Sequence, residues 1–260
     1  MGDQHPLDPF AQFEGIVDAL RDAALRLPGV GNEELTNLSQ SAGEAIGAIK
    51  NALVTIPDGR TLLAVEHEAL MTFARANGLC VRTLWRGVIT DRSGRITVGE
   101  FVWRRVTDIT ALASCTKLKA LYLSGNDIAD ISALARCREL LRLWLGTNRI
   151  TDISALASCG KLETLSLENN GVTHFSALAG CSMLTTLNLQ ANRLIEISDL
   201  ASCRMLKQLF LGHNQITDIS ALECCTQLEW VSLLGNPLAE GTVEVIAKLR
   251  ARGVQVEALY

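Results

Sequence analysis

The sequence lacks a strong charge of either sign and is poor in proline. Its 260 residues contain 24 basic and 28 acidic side chains, five prolines, and hydrophobic residues at 48% of positions. A disordered chain would have fewer apolar groups and more net charge, so these values predict a folded protein. Residues 1–105 hold 11 basic and 13 acidic residues and residues 106–260 hold 13 and 15, so each part has a net charge of −2. General affinity for nucleic acid or for membrane surfaces is therefore not expected.

Targeting and catalytic signals are also missing. The apolar runs are far shorter than the roughly 20 residues of a transmembrane helix, and the first residues lack the basic and apolar regions of a signal peptide. We therefore expect a cytoplasmic protein. The four histidines lie in unrelated contexts, and the sequence contains neither a phosphate-binding glycine loop nor a nucleophile elbow. The sequence thus predicts no catalytic, cofactor-binding or metal-binding residues, and the protein is not expected to be an enzyme.

Cysteine gives the first sign of an internal repeat. Six of the eight cysteines recur at a constant interval of 22 residues, which is typical of stacked copies of one structural unit. They are Cys115, Cys137, Cys159, Cys181, Cys203 and Cys225. The same interval separates several leucine columns and a column of asparagines, which are Asn126, Asn148, Asn170, Asn192, Asn214 and Asn236.

Each row of the repeat contains a short stretch with alternating leucines, such as Leu121 and Leu123. Alternation with period two predicts a strand whose leucines face a core. A single row cannot bury these leucines, so rows are expected to stack in parallel about 4.8 Å apart and to form a solenoid. The repeated asparagine is expected to close the corner after each strand by bonding backbone groups that the corner leaves unpaired.

These rows resemble leucine-rich repeats of the 22-residue class, which occur in internalins and in the leucine-rich regulatory subunit of type-1 protein phosphatase. The resemblance covers residues 106–238 in six rows. It implies an α/β solenoid with a curved parallel β-sheet on its concave face. Residues 61–105 resemble the N-terminal cap of such proteins, with a helix, a hairpin and a degenerate first repeat. The helical apolar spacing of residues 243–249, ended by Gly253, predicts a C-terminal cap of a helix and a short strand within residues 239–260.

Residues 1–60 follow a different pattern. Apolar residues recur at intervals of three and four from Phe13 to Leu27 and again from Leu35 to Ile56, with breaks at Pro28 and Pro57. This pattern predicts a helical hairpin. Three roles remain open for it: a cap on the solenoid, an arm for docking or self-association, and a detached tail.

Two further columns have structural and functional interpretations. The cysteines either form a buried, reduced core column or provide disulfides or a metal site, and core packing is favoured because a single file does not converge on a metal. An acidic column of Asp108, Asp130, Asp152, Glu196 and Asp218, interrupted by His174, is interpreted as caps of a short helical turn on the convex side rather than as calcium ligands. The six arginines between residues 82 and 105 either contact an acidic partner or RNA, or protect the edge of the hairpin.

The candidate site lies on the strand positions that alternate with the core leucines and should face solvent. We place Tyr122, Trp144, Phe210 and Trp230 in one column of the concave face, with a polar region between them. Aromatic residues are only 5% of the chain, so this enrichment indicates an interface. The competing interpretation is that a terminal segment covers some of these rings. The predicted partner-binding residues are Tyr122, Arg142, Trp144, Glu168, Asn188, Gln190, Phe210, Trp230 and Leu234.

Together these patterns predict a non-enzymatic module that binds another protein along its concave face, as an intracellular scaffold or assembly factor. One alternative is a regulatory subunit or substrate adaptor of an enzyme such as a phosphatase or a ubiquitin ligase. A second alternative is a secreted recognition or adhesion module, which would require a signal peptide. The sequence does not identify the partner.

Overall fold

The computed structural model describes residues 53–258. The chain divides into two units, residues 1–54 and residues 55–260, and the architecture below belongs to the second apart from Leu53 and Val54. Most of the helical hairpin predicted for residues 1–60 lies outside the described residues. No helix within residues 53–258 has the length and apolar composition that crossing a membrane would require.

The N-terminal cap contains the predicted helix and hairpin. Its elements are β1 (Leu53–Thr55), β2 (Thr61–Leu63), α1 (Ala64–Ala76), α2 (Val81–Leu84), a 3-10 turn (Trp85–Gly87), β3 (Val88–Thr90) and β4 (Ile96–Glu100). β1 and β2 form a two-stranded sheet, whereas β3 and β4 pair antiparallel at the start of the main sheet. β4 then pairs in parallel with the first full repeat.

The prediction of a helix that continues to Pro57 is wrong for its last residues, because Leu53–Thr55 form a strand. The N–H of Gly59 donates to the carbonyl of Ile56 at 2.9 Å, and Gly59 has a φ of 85°. This left-handed conformation, which glycine adopts without strain, reverses the chain. The proline therefore belongs to a tight turn between two strands and does not end a helix.

The repeats and both caps form a sheet of nine strands that continues from the cap hairpin to the strand of the C-terminal cap. Its other strands are β5 (Ala120–Tyr122), β6 (Arg142–Trp144), β7 (Thr164–Ser166), β8 (Thr186–Asn188), β9 (Gln208–Phe210), β10 (Trp230–Ser232) and β11 (Gln255–Glu257), and α3 (Thr242–Ala251) precedes β11. All neighbours from β4 to β11 are parallel, and equivalent residues pair, as Leu121 does with Leu143. The predicted solenoid and its C-terminal cap are therefore confirmed.

Short 3-10 turns return the chain from one strand to the next on the side opposite the sheet. The carboxylate of Asp130 accepts a hydrogen bond from the N–H of Ser132, the first residue of one turn, at 2.7 Å. Asp108, Asp152 and Asp218 make the same bond in their rows. The interpretation as caps of these turns is confirmed for the four aspartates, whereas Glu196 at the same position makes no such bond to a described residue.

The asparagine column joins each row to the preceding one. The side-chain oxygen of Asn170 accepts from the N–H of Ile150 at 2.9 Å. Its side-chain nitrogen donates to the carbonyls of Leu145 and Leu167, both at 3.0 Å. Equivalent bonds occur at Asn126, Asn148, Asn192, Asn214 and Asn236. The predicted ladder is therefore present in every full row.

Replacing one member of the ladder should destabilise the protein measurably. Asn170→Ala leaves the N–H of Ile150 and two carbonyls without their partner, so we expect the free energy of unfolding to fall by about 1–3 kcal/mol. Urea unfolding gives this value. Thr173→Ala, three residues away at an exposed position without a positive φ, is the control and should have a much smaller effect. Equal midpoints for wild type and Asn170→Ala would contradict the role of the ladder.

The six column cysteines are buried and free. Each thiol from the second row onward donates to a backbone carbonyl in the preceding row, as Cys181 does to Leu156 at 3.5 Å. Burial raises the pKa of the Cys137 and Cys159 thiols to about 11 and that of Cys181 to about 12. The two cysteines outside the column, Cys80 and Cys224, are exposed. The column is thus core packing.

A buried ion pair connects α1 to the cap hairpin. Glu66 is fully buried, and its carboxylate accepts from the Arg95 Nε at 2.6 Å and from the backbone N–H of Ile96. Arg95 also donates to the Thr116 hydroxyl at 3.0 Å, in the first full repeat. One of the six arginines in the basic segment therefore has a structural role.

Candidate protein-binding face

The strands place alternate residues on the solvent side of the sheet, and their register defines columns across it. Tyr122 pairs with Trp144, which pairs with Ser166. The column continues through Asn188, Phe210 and Ser232 to Glu257. Two of the nine predicted site residues, Trp230 and Arg142, lie in the neighbouring column, since Trp230 pairs with Gln208. The prediction that four aromatics share one column is therefore wrong for Trp230, which stands two residues earlier in its row.

The aromatic side chains nevertheless meet in two pairs. The rings of Tyr122 and Trp144 stack with centroids 4.5 Å apart and an interplanar angle of 10°. The rings of Phe210 and Trp230 lie at 4.4 Å and 47°, as a diagonal pair between adjacent strands. All four side chains are half-buried. The candidate face thus has an aromatic pair near each end and two strands, β7 and β8, between them.

Polar side chains fill the space between the aromatic pairs. Glu168 Oε2 accepts hydrogen bonds from the Ser166 hydroxyl and from Asn188 Nδ2, the latter at 3.3 Å. The Asn188 Oδ1 in turn accepts from the N–H of Gln190 at 3.0 Å. The predicted polar residues Glu168, Asn188 and Gln190 therefore form one connected, half-buried group.

Some of the strand positions expected to face solvent are buried. Ala120, Ser166 and Ser232 have exposed fractions of 1%, 6% and 5%. Their side chains are short, so the longer side chains around them cover them. The usable surface is therefore formed by the longer side chains, including the exposed Arg142 and the half-buried Leu234.

Trp103 is an exposed aromatic residue that the sequence interpretation missed. It is 71% exposed, has a φ of 55°, and its indole covers Gly125 so closely that a Cβ there would collide with it. Trp103 stands one repeat before Gly125, in the degenerate row in which Arg104 replaces the ladder asparagine. The repeat pattern does not point to it, because Trp103 aligns with Gly125 at the corner after the strand and not with a solvent-facing strand position.

Metal coordination finds no support in the described part of the chain. Among residues 53–258, no group of three or more His, Cys, Asp and Glu side chains is arranged to hold an ion.

Comparisons with known proteins agree with this architecture. Models for leucine-rich repeats match residues 116–158, as two copies, and residues 202–222. An internalin (inlF) of Listeria monocytogenes has a TM-score of 0.56 and 35% identity, over 60% of this chain and 47% of its own. Internalin C2 (inlC2) of the same organism has a TM-score of 0.56 and 21% identity, over 76% and 86% of the two chains. A leucine-rich-repeat protein of Leptospira interrogans reaches 0.53 with 24% identity, over 57% of this chain and 39% of that one.

The chain contains leucine-rich repeats, and its solenoid is similar to that of the inlF internalin. No curated protein sequence matches it. The aligned part spans less than half of the inlF internalin, and the two structures below 25% identity share the fold alone. Leucine-rich-repeat proteins typically act as interaction modules through an extended concave surface. This class of function is the one that the sequence predicts.

Proposed function

We propose that the protein binds a partner protein along the concave face of its sheet and acts as a non-enzymatic scaffold or assembly factor. The observation that carries this proposal is the pair of aromatic clusters, Tyr122–Trp144 and Phe210–Trp230, on the solvent side of the sheet. Large aromatic side chains in such positions provide most of the binding energy at protein interfaces.

The spacing of the clusters sets the size of the partner segment. The first cluster lies on β5 and β6 and the second on β9 and β10, so their centres are four strand spacings apart, or roughly 20 Å. An extended peptide segment of about six residues spans this distance. A partner can therefore contact both clusters with one continuous segment.

Cysteine chemistry supports a cytoplasmic setting for this scaffold. All eight cysteines are free, which is the usual state in reducing compartments. A secreted chain of this size with eight thiols would be exposed to oxidation at Cys80 and Cys224, the two exposed members.

Alanine substitution of either tryptophan should weaken binding much more than it destabilises the fold. Peptides that bind the full-length chain are first selected from a phage library of random 16-residue sequences. Trp144→Ala and Trp230→Ala should each raise the Kd of a selected peptide at least 30-fold, about 2 kcal/mol, measured by fluorescence anisotropy. The free energy of unfolding should fall by only about 0.5–1.5 kcal/mol, the value of one aromatic pair.

The matched control is Ile195→Ala. Ile195 is 59% exposed and lines a convex groove with Glu196 and Ser198, so its loss should leave the Kd unchanged. If the tryptophan variants bind the selected peptides as tightly as wild type, the concave face is not the binding surface. A large loss of stability with unchanged affinity would instead support the view that the rings pack beneath a terminal segment.

A further inference from the structure

Glu168 directs one carboxylate oxygen away from its own hydrogen-bonding partners. Oε2 accepts from Ser166 and Asn188, whereas Oε1 extends over the Cα of Gly146 in the preceding row. No described residue donates a hydrogen bond to Oε1 or forms an ion pair with Glu168. This oxygen is consequently available to a group outside the chain.

The available oxygen lies beside the first aromatic pair. Gly146 follows Trp144 by two residues on the same side of the sheet, a distance of about 7 Å along the strand. Trp144 in turn stacks on Tyr122. A cation placed between this carboxylate and the aromatic ring is attracted by both groups. The carboxylate accepts a charge-assisted hydrogen bond, and the ring makes a cation–π interaction.

The other charges around the aromatic pair define where a cation fits. Glu100 pairs with Tyr122 in the sheet register and adds a second, exposed carboxylate beyond the pair. Arg142 lies two residues before Trp144 and repels a cation on that side of the ring. A positive group is therefore favoured on the Glu168 side of Trp144 and disfavoured on the opposite side.

We infer that the partner segment carries a lysine or arginine side chain that binds between the Glu168 carboxylate and the ring of Trp144. This inference rests on the proposed function, because it specifies the partner that the concave face accepts. Apolar residues on either side of the basic residue contact the two aromatic pairs. The partner is thus an extended segment with one basic residue between apolar ones.

Gly146 positions the carboxylate for this interaction. A Cβ at residue 146 would collide with Glu168 Oε1 and Cδ, so any other residue there displaces the carboxylate. Gly146 does not have a positive φ, and its backbone therefore accepts alanine without strain. Gly146→Ala keeps the charge of Glu168 and changes only its location, whereas Glu168→Gln keeps the shape and removes the charge.

The test compares peptides selected from the random 16-residue phage library on the full-length wild type, on Glu168→Gln and on Gly146→Ala. We expect the wild-type pool to be enriched at least tenfold in Lys or Arg at one position between apolar residues. Both variants should lose this enrichment while still selecting apolar residues. For one wild-type peptide, replacing its basic residue with methionine should raise the Kd about tenfold on wild type and should have little effect on Glu168→Gln, as expected for a directly coupled pair.

The outcomes separate this inference from the proposed function. The inference is contradicted if peptides that depend on Trp144 lack a basic residue. It is also contradicted if the basic residue is enriched equally in selections on wild type and on Glu168→Gln. In both cases the proposed function stands. Selection of no peptide that depends on Trp144 or Trp230 contradicts both. In a third outcome, peptides selected on Glu168→Gln lose the basic residue, whereas peptides selected on Gly146→Ala keep it. The charge of Glu168 would then matter but its position would not, and the assignment of the site over Gly146 would be overturned.

Discussion

Raising the pH above about 9 should destabilise the protein steeply, because six buried thiols resist ionisation. Burial raises the thiol pKa from its ordinary value of 9.0 to about 11 at Cys137, Cys159 and Cys225, and to about 12 at Cys181, where the neighbouring thiols add to the effect. Burial also raises the pKa of Cys115 and Cys203.

The sign follows from the protonation of the two states. Below pH 9 the thiols are protonated in both the folded and unfolded chains, and their contribution to stability is complete. Between pH 9 and about 11 the unfolded chain releases these protons and the folded protein does not. Each such thiol then removes about 1.4 kcal/mol of unfolding free energy per pH unit, so the five with the largest increases in pKa, which exclude Cys203, remove roughly 7 kcal/mol per unit. Since a typical domain has only about 5–15 kcal/mol of stability, we expect unfolding near pH 10 to 11.

Guanidinium unfolding between pH 8 and 10.5, with a reductant present, measures this dependence. In the double variant Cys159→Ala/Cys181→Ala, the slope above pH 9.5 should be flatter by about 2.8 kcal/mol per pH unit, whatever the variant's stability at pH 8. Replacing the exposed Cys80 and Cys224 with alanine should leave the slope unchanged. Identical slopes in the column variant and wild type would show that the column thiols ionise as freely in the folded protein as in the unfolded chain.

Removing Arg95 should lower the free energy of unfolding by about 3–5 kcal/mol. Arg95→Met leaves the Glu66 carboxylate fully buried without its counter-charge, and an uncompensated buried charge is strongly destabilising. Urea unfolding of the full-length chain measures the loss. Adding Glu66→Met to the same variant removes the buried charge, so the double variant should recover much of the lost stability.

The matched control for this prediction is the pair between Arg75 and Glu68 on the same helix. Its atoms lie 2.8 Å apart, but both side chains are about two-thirds exposed, at 66% and 65%. Arg75→Met should therefore change the free energy of unfolding by about 0–1 kcal/mol. Equal losses for Arg95→Met and Arg75→Met would mean that burial of the first pair does not determine its contribution.

Most of the solenoid was predictable because every structural role recurs at the same interval. The asparagine column locates the corner of each row, and the leucines before it locate the strand. Subtracting one period from Leu121 identifies Gly99 as its neighbour, and the structure pairs these two residues. The helical interpretation of residues 53–56 fails because a three-residue strand is too short for its apolar pattern to be distinguished from the end of a helix.

The candidate face was less predictable, because periodicity fixes the position of a side chain but neither its direction nor its neighbours. The sequence interpretation assigns Trp230 to the column of Phe210, although only the register of β9 and β10 shows that the two rings meet diagonally. The position of Glu168 over Gly146 depends on a rotamer that the repeat does not determine. Trp103 aligns with the corner residue Gly125, so the strand positions that define the candidate face do not include it.

The direction of the asparagine bonds determines the order in which the corners of the solenoid can be completed during synthesis. Each side-chain oxygen accepts from an N–H 20 residues earlier in the chain, as Asn148 does from Ile128 at 3.0 Å. The N–H that follows each corner, such as that of Ile128, therefore lacks this partner until synthesis has reached the next asparagine. The last such bond joins Asn236 to Ile216. After this row, β11 provides the next hydrogen-bonding partner, because its Glu257 carbonyl accepts from the N–H of Leu233 at 2.7 Å. β11 thus completes the row before it.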